Sequence, residues 1–196
     1  MTKTVEFFYD FGSPTVYLAA TQLPILANRV GATINWRPIL LGGVFKLTGN
    51  QSPAVIAAKA DYMNDDLQRF AKRYGVPFNW NPYFPINTLA LMRGAVAYQD
   101  DAAVSSTYRE AIFTAIWVEE RNLNEPDVIG QVLSDAGLDP GELMERIGQQ
   151  TVKDQLTDNT EQAVNRGVFG APTFFVGEQM FFGQDRLDFV TEALSE

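Results

Sequence analysis

Hydrophobic positions near the amino terminus follow the spacing of a strand, a helix and a second strand. Residues 4–11 are mostly apolar and β-prone, which is typical of a buried strand that Gly12 interrupts. A helix is predicted next, and its apolar residues share one face. Pro24 lies inside this helix and is expected to kink it or to start a new helical turn. Residues 32–40 predict a second strand, and such a βαβ unit is normally right-handed and parallel.

The central part of the chain has a helical period, and the carboxyl-terminal part does not. Residues 40–50 contain glycines and are predicted to form a loop that ends at Asn50. From residue 53 to about residue 150 the apolar spacing predicts several helices, the first of which ends at Gly75. Residues 168–194 predict strand, turn, strand and helix, so that an antiparallel hairpin is expected.

This order of elements indicates one architecture. Strands from both ends of the chain can join one sheet only if the helices between them are an insertion. We therefore predict an α/β protein with a thioredoxin-like fold and an inserted all-helical domain. Residues 1–48 and 160–196 are expected to form the thioredoxin-like domain, and residues 49–159 the helical insertion.

The composition restricts the chemistry through two absences. The 196 residues include no cysteine and no histidine, and the net charge is −9. Without cysteine, a disulfide oxidoreductase and a thiolate nucleophile are excluded. Without histidine, a Ser-His-Asp triad and a histidine-based metal site are excluded. Either carboxylates or a bound cofactor must carry any catalysis, and no metal is expected.

Charge and hydropathy also restrict the partners and the location. The acidic charge and the lack of a basic run argue against binding to nucleic acid. No apolar run approaches the roughly 20 residues that a membrane-spanning helix needs. The amino terminus begins with the strand pattern, without the basic and apolar regions of an export signal. We therefore expect a cytoplasmic protein with no membrane partner.

The turn between the first strand and helix carries the first candidate site residue, Ser13. Serine followed by Pro14 is a favourable helix start, and the cap alone is worth about 1 kcal/mol. In the thioredoxin plan, however, the attacking cysteine lies at this turn, and Ser-Pro-Thr-Val replaces Cys-x-x-Cys. A serine without a base is a poor nucleophile, but it can donate a hydrogen bond to an external thiolate. The helix N-terminus favours the same negative charge.

Two later segments would face that turn in the thioredoxin plan. Base rates favour a trans peptide bond before Pro172, whereas the plan places a cis-proline opposite the active turn. A cis-proline would leave the backbone N–H and C=O of Ala171 free for a peptide-like ligand. Gln184 and Asp185 begin the last helix, either as its cap or as a corner that binds a carboxylate and an ammonium.

Other polar and aromatic residues have structural explanations as well as functional ones. Lys59 lies on a predicted amphipathic helix, where a single lysine usually serves solubility. Arg37 lies in the second strand and is interpreted first as part of a structural ion pair. The large aromatic residues of the helical part are expected to be mostly core, with some stacking on an aromatic ligand. They are Phe45, Trp80, Tyr83, Phe84 and Trp117.

Five blocks of the sequence together resemble the 2-hydroxychromene-2-carboxylate isomerases. That family belongs with the kappa-class glutathione transferases in the DsbA-like branch of the thioredoxin fold. The similarity runs nearly the whole chain, and the order and spacing of the blocks make it specific. The blocks are FYDFGSPTVYLA, NWRPILLGGVFKLTGN, AAKADYMNDDLQRFAKRYGVPF, FGAPTFFV and FFGQDRLDFV.

The resemblance implies glutathione as the cofactor and Ser13 as the catalytic residue. Ser13 matches the serine that hydrogen-bonds the glutathione sulfur and helps to ionise it. Ala171, before the cis-proline expected at Pro172, matches the residue whose backbone pairs with the cysteinyl moiety. The resemblance therefore implies that glutathione supplies the thiol that this chain lacks.

The resemblance also implies which residues hold the two ends of glutathione. Asn50 and Lys59 match polar residues that hold the glycyl end or nearby groups. Gln184 and Asp185 match the pair that binds the γ-glutamyl end, although the family often has serine at the first position. Leucine is common in the family where this chain has Gly12, a difference expected to reshape the substrate entrance.

On the substrate side, the resemblance implies roles for Asn87 and Arg37. Asn87 matches a motif near the substrate, and Arg37 is a candidate for binding it. An anionic cofactor and substrate are expected to need local cations, for which Lys59 is the first candidate, followed by Arg37 and Arg186. The implied partner is a small aromatic molecule, and a homodimer is one expected assembly.

The implied reaction is a cis–trans isomerisation in the degradation of aromatic compounds. An aromatic hemiketal opens, a thiolate adds to and leaves its conjugated double bond, and a trans unsaturated pyruvate results. Two alternatives stay open at this point. One is a kappa-like glutathione transferase that conjugates other electrophiles at the same site, and the other is a non-catalytic thioredoxin-fold binding module.

Overall fold

The computed structural model describes residues 3–196 of the chain, and in it both ends of this range contribute to one sheet. The strands are β1 (Thr4–Tyr9), β2 (Thr33–Pro38), β3 (Thr173–Val176) and β4 (Gln179–Phe182). Their order in the sheet is β2-β1-β3-β4. β1 is parallel to β2 and antiparallel to β3, and β3 is antiparallel to β4. The βαβ unit and the carboxyl-terminal hairpin are therefore confirmed.

Helices fill the chain between β2 and β3 and also follow β1 and β4. Within the described residues these are α1 (Pro14–Val30), α2 (Leu41–Thr48), α3 (Ala57–Tyr74), α4 (Leu89–Ala97), α5 (Ala102–Trp117), α6 (Pro126–Asp135), α7 (Pro140–Gly148), α8 (Gln150–Asn165) and α9 (Leu187–Ser195). Two short 3₁₀ turns cover Pro53–Val55 and Gln184–Arg186. This arrangement is the predicted α/β thioredoxin-like fold with a helical insertion, whereas the exact domain boundaries stay a prediction.

The segment 40–50 is mainly the helix α2, and the prediction of a glycine-containing loop was wrong. Glycine costs about 1 kcal/mol in a helix relative to alanine, so two glycines in one segment argue against a helix locally. Here α2 packs against α8, and a side chain at Gly43 would come within 3.1 Å of Thr160 Cγ2. The packing of α2 against α8 therefore outweighs the low helix propensity of glycine, and the small size of Gly43 permits the close contact.

The first helix contains Pro24 without ending there. α1 continues through that residue to Val30, and Gly31 ends it in the left-handed conformation, with φ of 66°. The helix thus ends just before the second strand that the sequence predicted. Ser13 and Pro14 begin the helix as predicted.

The core is one continuous cluster that joins the sheet to the inserted helices. Phe7 on β1 stacks on Phe174 of β3, with ring centroids 5.0 Å apart. Trp117, at the end of α5, is fully buried and donates its indole N–H to the Phe11 carbonyl at 2.8 Å. The insertion is thereby fixed to the chain segment that leads to Ser13.

The Ala171–Pro172 peptide bond is cis, as the thioredoxin plan predicted and base rates did not, and Phe84–Pro85 is also cis. None of the helices between residues 3 and 196 is both long and apolar enough to cross a membrane. The structure holds one chain, so the expected homodimer stays a prediction.

Candidate functional site

A cavity of about 480 Å³ lies where the Ser13 turn, the cis-Pro172 segment and the helical insertion meet. Its wall includes Ser13 and Thr15 at the start of α1, and Ala171 and Pro172 before β3. The other side of the wall comes from α2, the loop after it, and the segment before α4. The thioredoxin-like part thus contributes the polar turn, and the insertion contributes the facing wall.

Ser13 both caps α1 and faces this cavity. Its backbone is extended, and its Oγ accepts the N–H of Val16 at 3.3 Å, which is the geometry of an N-cap. The same Oγ lies 2.9 Å from Thr15 Oγ1 and donates to the Ala171 carbonyl at 3.2 Å. The side chain is 6% exposed. Ser13 therefore accepts a hydrogen bond as the cap of α1 and donates its one hydroxyl hydrogen to Ala171.

Of the two backbone groups of Ala171 that were expected to be free for a ligand, the C=O is occupied and the N–H is not, within the described residues. Its carbonyl accepts a hydrogen bond from Ser13 and lies 3.5 Å from Thr15 Oγ1, so the expectation of a free C=O was wrong. Its N–H has no acceptor among residues 3–196. Because a buried N–H without an acceptor is costly, this group is a candidate partner for a ligand carbonyl.

Asp10 is a buried carboxyl group in the cavity wall that the sequence reasoning missed. One of its oxygens accepts the Gly12 N–H at 2.9 Å, and the other accepts the Leu41 N–H at 2.7 Å. Burial raises the pKa of Asp10, while hydrogen bonds from Gly12, Leu41 and Thr88 oppose that rise. Asp10 therefore fixes the Ser13 turn to the start of α2. The sequence offered one sign of this role, because Asp10 is a carboxylate directly after an apolar strand.

Three of the residues assigned to glutathione also line the cavity. The Asn50 amide donates to the Phe169 carbonyl at 2.8 Å, which fixes its position after α2. Gln184 is buried, and its Oε1 accepts the Tyr74 hydroxyl at 2.7 Å. Asp185 is half exposed and forms an ion pair with Arg186. The structure thus brings Asn50, Gln184 and Asp185 to one cavity with Ser13 and Ala171.

Gly183 fixes the corner that holds Asp185. Its φ is 105°, and a Cβ at this position would lie 2.5 Å from Asp185 Oδ1. Its N–H donates to the Pro172 carbonyl at 3.0 Å. Only glycine accommodates both the backbone conformation and the close carboxylate, so this residue joins the cis-proline segment to the Asp185 corner.

Lys59 and Asn87 do not line the cavity. Lys59 is exposed on α3, four residues before the lining residue Met63 and therefore on the same side of the helix. The Asn87 side chain accepts the Leu89 N–H at 3.1 Å and so helps to begin α4. Its neighbour Thr88 lines the cavity instead.

Arg37 is also absent from this cavity, because β2 is the edge strand on the far side of β1. Its guanidinium donates to Gln162 on α8 at 3.3 Å and lies 3.8 Å from Glu6. Its interpretation as part of a structural ion pair agrees with these contacts. The structure does not bring Arg37 to the site where a substrate role was expected.

The cavity around Ser13 is not lined by cations, contrary to the expectation of local positive side chains. No lysine or arginine belongs to its lining within the described residues, whereas Asp10, Asp66 and Asp185 do. The groups of this wall that can favour an anion are therefore the N-terminus of α1 and backbone N–H groups. Such groups bind an anion without a formal charge.

Aromatic residues form much of the wall that faces Ser13. Phe45, Trp80 and Phe84 line the cavity, and the rings of Trp80 and Phe84 lie 5.2 Å apart. Tyr83 is half exposed outside the cavity, and Trp117 belongs to the core. Three of the five aromatic residues singled out in the sequence are thus placed where they can contact a planar ligand.

Comparisons with known proteins show the family and the fold of this chain. The family model for the DSBA-like thioredoxin domain matches residues 4–195. A 2-hydroxychromene-2-carboxylate isomerase from Sphingobium xenophagum is 35% identical, and the match covers 99% of each chain. Human glutathione S-transferase kappa 1 is 30% identical, with 100% of this chain and 92% of that protein covered. Both relatives are named as enzymes.

The structural comparison points to the same group. A solved structure of a 2-hydroxychromene-2-carboxylate isomerase superposes with a TM-score of 0.87 at 30% identity, covering 97% of this chain and 94% of that one. Identity at this level over nearly the full length shows common family membership as well as a common fold. The chain therefore belongs to the 2-hydroxychromene-2-carboxylate isomerase family, within the DsbA-like thioredoxin proteins and related to the kappa-class glutathione transferases.

Proposed function

We propose that the protein is a glutathione-dependent isomerase of the 2-hydroxychromene-2-carboxylate type. The observation that carries the proposal is the Ser13 hydroxyl at the N-terminus of α1, facing a cavity where the Ala171 N–H has no acceptor among residues 3–196. When bound, glutathione supplies the thiol that a chain without cysteine lacks. The proposed product is the trans unsaturated pyruvate of aromatic-compound degradation.

The residues present fit glutathione in three respects. The free N–H of Ala171 can donate to a carbonyl of the tripeptide backbone, as in strand-like recognition of peptides. Asp185 supplies a carboxylate for the ammonium of the γ-glutamyl end, and Asn50 supplies an amide for the glycyl end. Lys59, on the same side of α3 as Met63, would approach the glycyl carboxylate from outside the cavity.

Ser13 would act by holding negative charge on the sulfur. A hydrogen bond to the charged form and the positive end of a helix dipole both lower the pKa of a thiol. In the structure, the Ser13 hydroxyl donates to the Ala171 carbonyl. It would change its acceptor when a sulfur arrives, and Thr15 can then donate to that carbonyl in its place.

The facing wall suits a flat and largely apolar substrate. Trp80 and Phe84 can stack on an aromatic ring, and the absence of a side chain at Gly12 leaves space beside Thr88. The Thr15 N–H, which has no acceptor among residues 3–196, is the donor at the start of α1 that remains for a substrate oxygen. These contacts would orient the substrate over the sulfur position.

The test is a glutathione titration of isomerase activity in wild type and Ser13→Ala. A lost hydrogen bond to a charged group costs about 1.5–3 kcal/mol, so kcat/KM is expected to fall about 10- to 100-fold. Ser134→Ala is the matched control, because the Ser134 hydroxyl donates within α6, away from the cavity. Wild-type isomerisation without glutathione, or an undiminished rate in Ser13→Ala, would contradict the proposal.

A second candidate is a kappa-like transferase that conjugates other electrophiles at the same cavity. The relation to human glutathione S-transferase kappa 1 supports it. Conjugation and isomerisation differ in whether the adduct is released, so product analysis with a general electrophile beside a chromene substrate separates them. A protein that binds no glutathione at millimolar concentration would favour the third candidate, a non-catalytic binding module.

A further inference from the structure

A second cavity, of about 630 Å³, lies between β2 and the helices α4, α5 and α8. It shares no lining residue with the cavity around Ser13. Its lining is mostly polar and includes Asn35, Arg37, Gln99, Arg109, Asn159 and Gln162. A polar cavity of this size is unsuited to an apolar ligand but can hold a small hydrophilic one.

Arg109 supplies a positive charge that the protein does not neutralise. Its guanidinium stacks over Trp36, 4.2 Å from the ring centroid, and donates to Ser105 Oγ. Burial lowers the pKa of Arg109, because the charged form loses contact with water. Within residues 3–196, no carboxylate oxygen lies within 4.0 Å of this side chain.

Arg37 is only partly neutralised. It shares the carboxylate of Glu6 with Arg166, and Arg166 is the closer partner, at 2.8 Å against 3.8 Å for Arg37. The Nε of Arg37 is buried and has no hydrogen-bond acceptor among the described residues. Asp100 also belongs to the lining, but it pairs with neither arginine. Local positive charge therefore exceeds local negative charge in a chain whose net charge is −9.

We infer that this second cavity binds a small polar molecule through an oxyanion, either a carboxylate or a phosphate, with Arg109 as its charged partner. Arg37 follows Trp36 on β2, so its side chain leaves the opposite face of the sheet and reaches the cavity from the other side. Guanidinium groups match both oxyanions in geometry and charge. The amides of Asn35, Gln99 and Gln162 add neutral donors and acceptors for the rest of such a molecule. The inference does not depend on the proposed isomerase activity, because the two cavities have separate linings.

The three tryptophans of the chain make the inference testable by NMR. Trp36 lines the second cavity, Trp80 lines the Ser13 cavity, and Trp117 is buried in the core. Inorganic phosphate or citrate is titrated into protein labelled with ¹⁵N at the indoles, against sodium chloride of equal ionic strength. A Trp36→Phe variant assigns the signal. We expect a saturable shift of the Trp36 signal, and the tighter of the two probes identifies the preferred oxyanion.

Variants of Arg109 test whether its guanidinium holds the anion. Arg109→Gln is expected to weaken the affinity about tenfold or more, because it removes a charge-assisted contact. Arg29→Gln, an exposed change of equal charge on α1, is expected to leave it unchanged. If Arg109→Gln loses its native spectrum, Arg109→Lys replaces it, and a weaker affinity is again expected because lysine keeps the charge but not the planar guanidinium. The inference is overturned if only the Trp80 signal shifts, if chloride shifts the Trp36 signal equally, or if the Arg109 variant binds the probe as tightly as wild type.

Discussion

The Ser13 hydroxyl donates to the carbonyl of Ala171 at 3.2 Å, although 158 positions separate the two residues in the chain. The contact joins the start of α1 to the segment before β3. It also means that the hydrogen of Ser13 already has an acceptor before any ligand binds. A sulfur at this position must compete with a backbone carbonyl, and the Ala171 N–H beside it is available to compensate.

Glycine and alanine at position 13 should separate capping from hydrogen-bond donation. Ser13→Ala is expected to lower the free energy of unfolding by about 1 kcal/mol, and Ser13→Gly by only a few tenths, since glycine is tolerated at an N-cap. Both variants lose the hydroxyl and should lose activity to a similar extent. Chemical denaturation and kinetics together provide the measurement, and an active Ser13→Gly enzyme would show that the hydroxyl acts only as a cap.

A side chain at position 12 should reduce the space for substrate without affecting glutathione. A Cβ on Gly12 would lie 3.1 Å from Thr88 Cγ2 and 3.4 Å from Asp10 Oδ1. Gly12→Leu is therefore expected to lower kcat/KM for the aromatic substrate by about tenfold, the scale of a hydrophobic group misplaced in a pocket. Calorimetry with glutathione should give an unchanged Kd. A parallel loss of glutathione affinity would mean that the turn itself has moved.

Asp10 should make a pH-dependent contribution to stability. Its pKa is raised in the folded protein, so its contribution is fully present below the unfolded pKa, about 3.9, and is lost as pH rises through the folded pKa. The measured quantity is the free energy of unfolding of wild type minus that of Asp10→Asn. This difference is expected to fall as pH rises from the unfolded pKa, about 3.9, towards neutrality.

Urea denaturation of both proteins at a series of pH values measures this difference. Comparing the two proteins cancels the titration of the other carboxylates, which are common to both. A difference that stays constant, or that grows with pH, would contradict the raised pKa of Asp10.

Alanine at position 183 should be more disruptive than alanine at another glycine with positive φ. Gly177 has φ of 58° and free space around a Cβ, so Gly177→Ala should cost about 1–2 kcal/mol from the backbone alone. Gly183→Ala adds a close contact with Asp185 and is expected to cost more and to weaken glutathione binding. Thermal unfolding and calorimetry of the two variants provide the comparison. If the two variants changed glutathione binding equally, Asp185 would not be part of the glutathione site.

Long periodic segments could be predicted from the sequence, whereas contacts between distant segments could not. The period of α3 and its end at Gly75 follow from local spacing. The helix α2 was missed because its two glycines are unfavourable locally, and the small residue at Gly43 is explained only by packing against α8. Thr88 was also missed because its place in the cavity wall depends on a tertiary contact, the crossing of the segment before α4 over the Ser13 turn.

For the site, topology decided which residues come together. Ser13, Ala171 and Asp185 converge because β1 and β3 are neighbours, which the thioredoxin plan implies. Arg37 was expected near them, but β2 lies at the opposite edge, and no local pattern distinguishes the two sides of a sheet. Asp10 was overlooked because a buried carboxylate is apparent only when its backbone partners, which come from α2, are known.

The lack of lysine and arginine in the Ser13 cavity, among residues 3–196, affects how an anionic ligand approaches it. Backbone dipoles act over a few ångströms, whereas the net charge of −9 acts over the Debye length, about 8 Å at physiological ionic strength. At low salt the molecule as a whole would repel glutathione until it reaches the entrance. Added salt should therefore accelerate the binding of glutathione at this cavity, whereas it should weaken the binding of an oxyanion to Arg109 in the second cavity.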